Sequence, residues 1–259
     1  MLKLEDMPPS LRQALEDIAL CVVFFTRLPL PVVDFRDRSL AAAIWAAPVA
    51  GLAVALIGGL VYAVGTWLGL AAGPAAALTL AATLLATGCM HEDGLSDVAD
   101  GFGGGRTREK KLEIMRDSRI GAYGACALAL SLLIRWSVLS EFASPAYVFW
   151  ALIAAHAASR GLFGAFMHLL PAARSDGLSA DAGPLSAETA IAGAVLGAVA
   201  LLLLGFGGAV AAFILLGLLF AAFRELCRNQ IGGQTGDTVG ALQQSGEIAI
   251  LLVASVCLS

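Results

Sequence analysis

Residues 75–90 read AAALTLAATLLATGCM and carry no charge. Residues 91–105 read HEDGLSDVADGFGGG and carry four carboxylates, a histidine and five glycines. A greasy run that ends so abruptly reads as a helix leaving a hydrocarbon layer, because ionised carboxylates are costly inside one. The rest of the 259-residue chain agrees. Hydrophobic residues make up 59% of it and charged residues 14%, where a soluble domain carries about 25% charged residues. The expected fold is all-α, a polytopic membrane helix bundle, and the chain 1–259 reads as a single membrane-embedded catalytic domain.

Seven apolar segments are long enough, or nearly so, to cross about 30 Å of hydrocarbon. They are 41–68, 74–90, 121–142, 145–169, 188–204, 207–223 and 245–258. The second and last are short and need interfacial neighbours or a thinned bilayer. An eighth stretch, 18–33 (IALCVVFFTRLPLPVV), is interrupted by Arg27, Pro29 and Pro31. It reads as an N-terminal interfacial or re-entrant helix, since a broken helix facing lipid leaves backbone groups unpaired. The start, MLKLEDMPPS, lacks the apolar core of a signal peptide. Cysteines 21, 89, 126, 227 and 257 are scattered and suggest neither a disulfide framework nor a zinc knuckle.

With the N-terminus in the cytoplasm, the cytoplasmic pieces are 1–40, 91–120, 170–187 and 224–244. Fourteen of the sixteen Lys and Arg residues fall in them. The other two, Arg135 and Arg160, lie inside spans. This asymmetry orients the bundle and puts every substantial polar loop on one face. A net charge of −4 says little by itself, and no nucleic-acid partner is expected.

Asp93, Asp97 and Asp100 stand at i, i+4 and i+7. If the helix continues past Met90, they share one face within about 60° of arc. Like charges so placed repel, and a hard divalent cation offsets them. Mg²⁺ suits carboxylates combined with substrate phosphates. The bland alternative is a solvated acidic helix end paired with the nearby RTREKK. Glu92 lies about 100° off the stripe and is set aside. His91 is also off it, and reads as a general base, a phosphate contact or a helix-capping residue.

In KLEIMRDSRIGAYG (111–124), Arg116 and Arg119 flank Asp117 and Ser118. Arginine forks match phosphate oxygens, while simple anchoring would also place basic residues there. In GGQTGDTVGALQQSGE (232–247), glycines free backbone N–H groups to approach an anion. Asp237 is a further metal candidate, and Glu247 a weaker one. Inside the spans, Arg135, Glu141, His156, Ser159, Arg160 and His168 are functional candidates because they are costly there. Arg160 should face the interior and find a carboxylate, whereas Arg135 and Glu141 read as residues able to snorkel. Walker A, GxSxG and HExxH motifs are absent.

HEDGLSDVADG (91–101) resembles the His-x-Asp-Gly-Leu-x-Asp-x-x-Asp-Gly motif of the cobalamin synthase family, the adenosylcobinamide-GDP ribazoletransferases. The resemblance continues through FFTRLP (24–29), LEIMRDSRIGAYG (112–124), SRG (159–161), ARSDGLS (173–179) and GGQTGDTVGA (232–241), in the family's order. It implies an integral enzyme of the bacterial inner membrane with its site facing the cytoplasm. That enzyme needs Mg²⁺ and joins adenosylcobinamide-GDP to α-ribazole or its 5′-phosphate, releasing GMP. The expected catalytic set is His91, Asp93, Asp97 and Asp100, with Asp93, Asp97, Asp100 and Asp237 on metal. The expected substrate contacts are Arg116, Asp117, Arg119, Arg160, Gln234, Thr235, Asp237 and Thr238. The bilayer is a partner, and a homo-oligomer or an association with other cobalamin-assembly enzymes is compatible with the sequence.

Three other readings compete. A CDP-alcohol phosphotransferase needs an Ala-Arg pair soon after Asp-Gly and a longer gap to its later aspartates. A polyprenyl transferase needs a second Asp-rich helix. A transporter lined by Arg135, His156 and Arg160 predicts broken mid-membrane helices and an internal repeat.

Overall fold

A computed structural model of the chain describes residues 8–29, 38–176, 183 and 185–258. Parts of the expected re-entrant stretch 18–33 and of the loop 170–187 lie outside them. The described residues form helices α1 (Pro9–Phe25), α2 (Leu40–Ala43), α3 (Ala47–Trp67), α4 (Ala72–Thr87), α5 (Met90–Gly104) and α6 (Arg108–Ile114). There follow α7 (Ala122–Glu141), α8 (Pro145–Leu169), α9 (Ala187–Ala200), α10 (Gly205–Ile231) and α11 (Gly236–Cys257). The all-α expectation holds.

The packing is that of a membrane protein. Large side chains such as Trp67, Leu85, Phe206 and Leu218 are exposed, while the interior is rich in alanine. Lipid offers apolar side chains no reason to hide, so helices associate through small residues that let backbones approach. Gly161 of α8 lies against Gly193 and Gly197 of α9, where an added Cβ would fall within 2.9 Å of the Gly193 carbonyl oxygen.

Among the described residues, five helical runs are long and apolar enough to cross a membrane, or six if α4 and α5 count as one bent crossing. Seven were expected. The difference lies partly in Ala187–Ile231, which counts as one run of 45 residues. At 1.5 Å per residue that run is about twice the hydrocarbon thickness. Gly205, at φ 74° and ψ 167°, interrupts it. Residues before the interruption pack on α8, while Gly208 beyond it meets Cys257 of α11. Helix α4, at 16 residues, is short for a crossing.

The helix carrying the aspartates is not a continuation of α4. Gly88 and Cys89 both adopt left-handed backbone, at φ 63° and 59°, and α5 leaves at 89° to α4. The Cys89 N–H bonds the Leu84 carbonyl at 3.0 Å and the Gly88 N–H that of Leu85 at 3.3 Å, a Schellman-type stop. The Arg27 N–H bonds the Ala86 carbonyl at 2.7 Å, so the segment after α1 is pinned to the break.

A charged network buried between α5, α7, α8 and α11 holds the bundle together. Arg135 Nη1 donates to Glu92 Oε1 and Glu247 Oε1, both at 3.1 Å. Gln243 donates to Glu247 at 2.6 Å, and Gln244 to Glu92 at 3.0 Å. His156 Nδ1 lies 3.1 Å from Glu247 Oε2 and 3.2 Å from Arg160 Nη1. Arg135 does not snorkel, since only 1% of it is exposed. Removing one partner of a buried ion pair costs about 3–5 kcal/mol, because the other charge stays uncompensated. Arg135→Met is therefore expected to lower the melting temperature in detergent by several degrees. Adding Glu247→Gln should restore part of the loss, which a simple packing defect at position 135 would not allow.

Candidate active site

The aspartate stripe survives the helix break, because its spacing lies wholly within α5. Asp93 is exposed, Asp97 half-buried and Asp100 buried. Glycine lets α5 lie close on α11: a Cβ on Gly94 would sit 2.7 Å from the Asp237 carbonyl oxygen. Asp93 and Asp237, from two antiparallel helices, therefore line one cavity of about 450 Å³. Asp97 lies within the electrostatic reach of both, and of Arg174.

Asp100 also has a structural task that the sequence reading did not include. Its Oδ2 accepts from the Gly121 N–H at 2.7 Å and its Oδ1 from the Gly124 N–H at 2.9 Å. It thus caps the N-terminus of α7 from a neighbouring helix, satisfying donors that the helix itself leaves unpaired. Each oxygen accepts one N–H and keeps a further lone pair, so this cap and the expected metal contact are compatible. Thr235 and Thr238 have a structural task as well: they form a reciprocal capping box at the start of α11, with N–H···Oγ1 distances of 2.8 and 3.3 Å. Gln234 is buried, and its backbone N–H bonds the Pro171 carbonyl at 2.9 Å.

The polar loops knot together over this end. Ala173 N–H bonds the Gln234 carbonyl at 2.8 Å. Arg108 donates to the carbonyls of Ile231 at 2.8 Å and Ala173 at 2.6 Å. Arg174 pairs with Asp237, and Arg116 with Asp176. Arg116 lines a separate shallow cleft with Glu113, Arg174 and Asp176. Arg119 is exposed and bonds Asp117 at 2.9 Å. That bond holds the Asp117 carboxyl down at about 2. These two residues face one another and make no described contact with the aspartate stripe. Arg160 is buried on His156 within the network, away from the loops, so it does not stand where a phosphate would contact it.

His91 is 2% exposed and lines the cavity. Its ring stacks between Phe25 and Phe163, with centroids 6.1 and 5.9 Å away. Neither ring nitrogen has a hydrogen-bond partner among the described residues. Sequence reasoning overlooked Glu92 as an anchor and Arg174 as the cation on Asp237. It also overlooked Gln243 and Gln244, and gave Glu247 only as a weaker metal candidate. The i, i+4 pairs 131/135, 156/160 and 243/247 are the signal that would have shown these faces.

Among the described residues, no three His, Cys, Asp or Glu side chains form a ready-made metal cage. The chemistry of the open set still fits a hard cation. Asp93 and Asp237 are carboxylates at a cavity, with Asp97 within their electrostatic reach, and Mg²⁺ keeps water and substrate oxygens among its ligands.

An apolar helix bundle with carboxylates and arginines gathered around a cavity at one end is the frame of an integral membrane enzyme for anionic substrates. The chain belongs to the family described as cobalamin-5-phosphate synthase, whose model matches residues 17–255. It is 74% identical over 258 residues to the adenosylcobinamide-GDP ribazoletransferase of Mesorhizobium japonicum, covering 100% of both chains. It is 53% identical to the enzyme of that name from Bradyrhizobium diazoefficiens, covering 95% of both. The counterpart from Azorhizobium caulinodans is 43% identical, over 92% of this chain and 94% of that one. No solved structure matches.

The two aspartates at opposite ends of α5 should respond differently to the same change. Asp100→Asn turns one acceptor into an amide donor facing a backbone N–H, and is expected to cost about 1–3 kcal/mol of stability. Asp93→Asn, on an exposed side chain, should change stability by no more than about 0.5 kcal/mol. Thermal melts of the two purified variants check this ranking.

Proposed function

We propose that the chain transfers the corrinoid phosphoryl group of adenosylcobinamide-GDP to α-ribazole or its 5′-phosphate, with GMP as leaving group, at the cytoplasmic face of a bacterial inner membrane. The observation that carries the reading is the convergence of Asp93 and Asp237 on one cavity, in a chain that shares its full length with relatives of that name. In the reaction the acceptor 3′-oxygen forms a bond to the corrinoid-side phosphorus. The bond from that phosphorus to the GMP phosphate breaks, and the hydroxyl proton leaves.

This chain's residues divide the work by position. Asp93, which lines the cavity, or Asp97 beside it takes the hydroxyl proton. Arg174, held on Asp237, supplies positive charge beside the carboxylates for the substrate phosphates. The rigid packing of α5 on α11 keeps these groups oriented, so positioning and electrostatics supply most of the rate. Asp93, Asp97 and Asp237 would hold Mg²⁺, which when bound neutralises phosphate charge.

The bent α4–α5 pair is a broken helix of the kind a transporter uses, but here the second half carries the carboxylates. Asp97→Asn, assayed in lipid with adenosylcobinamide-GDP, α-ribazole and Mg²⁺, should insert normally. It should lose GMP release on the order of 100-fold. Release near the wild-type rate would remove Asp97 from the site. A wild-type protein that moves substrate across vesicles and releases no GMP would remove the transferase reading itself.

A further inference from the structure

The cavity beside the aspartates has two unlike walls. Asp93 and Asp237 form one, and Phe24, Phe25, Ile44 and Met167 form the other. Its volume of about 450 Å³ is in the range that encloses a small molecule. A corrinoid with its amide side chains is far larger, whereas a nucleoside is of this size.

The apolar wall selects between the two aromatic groups in the reaction. Guanine presents an amide edge and an amino group, which would be left unpaired against phenylalanine, isoleucine and methionine, at a cost. The base of ribazole is a fused aromatic bicycle with one free ring nitrogen and no exocyclic donor. It suits an apolar slot.

Arg27 lines the same cavity. Its side chain lies across Gly88, where a Cβ would come within 2.6 Å of Nε. The exposed guanidinium makes no ion pair or side-chain hydrogen bond to any described residue. Among the described residues this cation has no counter-ion, and it lines the cavity that Asp93 and Asp237 also line. A ribose bound with its 3′-hydroxyl toward Asp93 turns its 5′-carbon away from the carboxylates. The family's own description includes a 5-phosphate.

We propose that this cavity is the acceptor subsite, that its apolar wall takes the flat base, and that Arg27 binds the acceptor's 5′-phosphate. The inference rests on the transferase reading and adds to it the residue that favours the phosphorylated acceptor. Sequence reasoning counted Arg27 as a break in an apolar run, as one of the basic residues of the cytoplasmic face and as part of FFTRLP, without giving it a ligand.

The test compares α-ribazole with α-ribazole 5′-phosphate, following GMP release by purified protein in lipid vesicles. Arg27→Ala should lower the ratio of kcat/KM for phosphorylated over unphosphorylated acceptor by about tenfold or more, the worth of one charge-assisted contact. Arg27→Lys should recover part of that ratio. An equal loss with both acceptors would overturn the assignment and place Arg27 on the donor diphosphate or in the fold. Met167→Trp, which fills the apolar wall, should raise KM for both acceptors. An unchanged acceptor KM, or a rise confined to the donor, would also overturn it. No turnover by the wild type with either acceptor would instead remove the underlying transferase reading.

Discussion

A guanidinium buried midway along a membrane helix holds the reactive helix in place. Arg135 reaches from α7 to Glu92 on α5 and Glu247 on α11. Isolated, any of these charges would cost several kcal/mol to take out of water. Together with Arg160 they balance, two carboxylates against two arginines, and Gln243, Gln244 and His156 satisfy further lone pairs. Such a network is cooperative, so α5 has one seat and not a range of them.

That seat explains the order of residues in HEDGLSDVADG. Adjacent positions on a helix differ by 100°, so Glu92 can be buried in the network while Asp93 faces the cavity. Seven residues after Asp93, Asp100 ties the start of α7 to the same helix. The stripe of acids is therefore a series of different tasks: anchor beside it, reactive carboxylates along it, cap at its far end. The loops complete the enclosure through backbone contacts between residues 171–173 and 231–234, which hold Arg174 on Asp237.

Much of this was legible in the sequence where a local rule decides it. Apolar length located the helices, and helical spacing grouped the aspartates. The break at Gly88 and Cys89 was not legible, because Cys89 carries no intrinsic preference for left-handed backbone and only the pinning by Arg27 reveals the corner. The roles of Asp100, Thr235 and Thr238 depend on which backbone donors approach them. A carboxylate that caps a distant helix and one that binds a metal have the same sequence signature. Arg160 was read correctly as inward-facing, and its side chain bonds His156. Glu92 was set aside by correct geometry applied to the wrong question: a residue off the reactive stripe is free to be the anchor.

The charge balance at the cavity bears on how an anionic substrate can enter it. Asp93, Asp97 and Asp237 stand against Arg174, already paired, and Arg27, which lines the cavity with Asp93 and Asp237. A diphosphate approaching that set meets more negative charge than positive. Coulomb repulsion grows as the effective dielectric falls, and one wall of the cavity is hydrocarbon. A hard cation reverses the sign on the carboxylate side, which is the physical ground for proposing one there. Arg27 serves the opposite end of the acceptor, where a second anion has to be accommodated without competing for the same cation. On this division the carboxylates, with a metal bound, would face the donor's phosphates, and Arg27 would receive the acceptor's phosphate directly. The two like-charged groups would thereby approach one another along separate electrostatic routes.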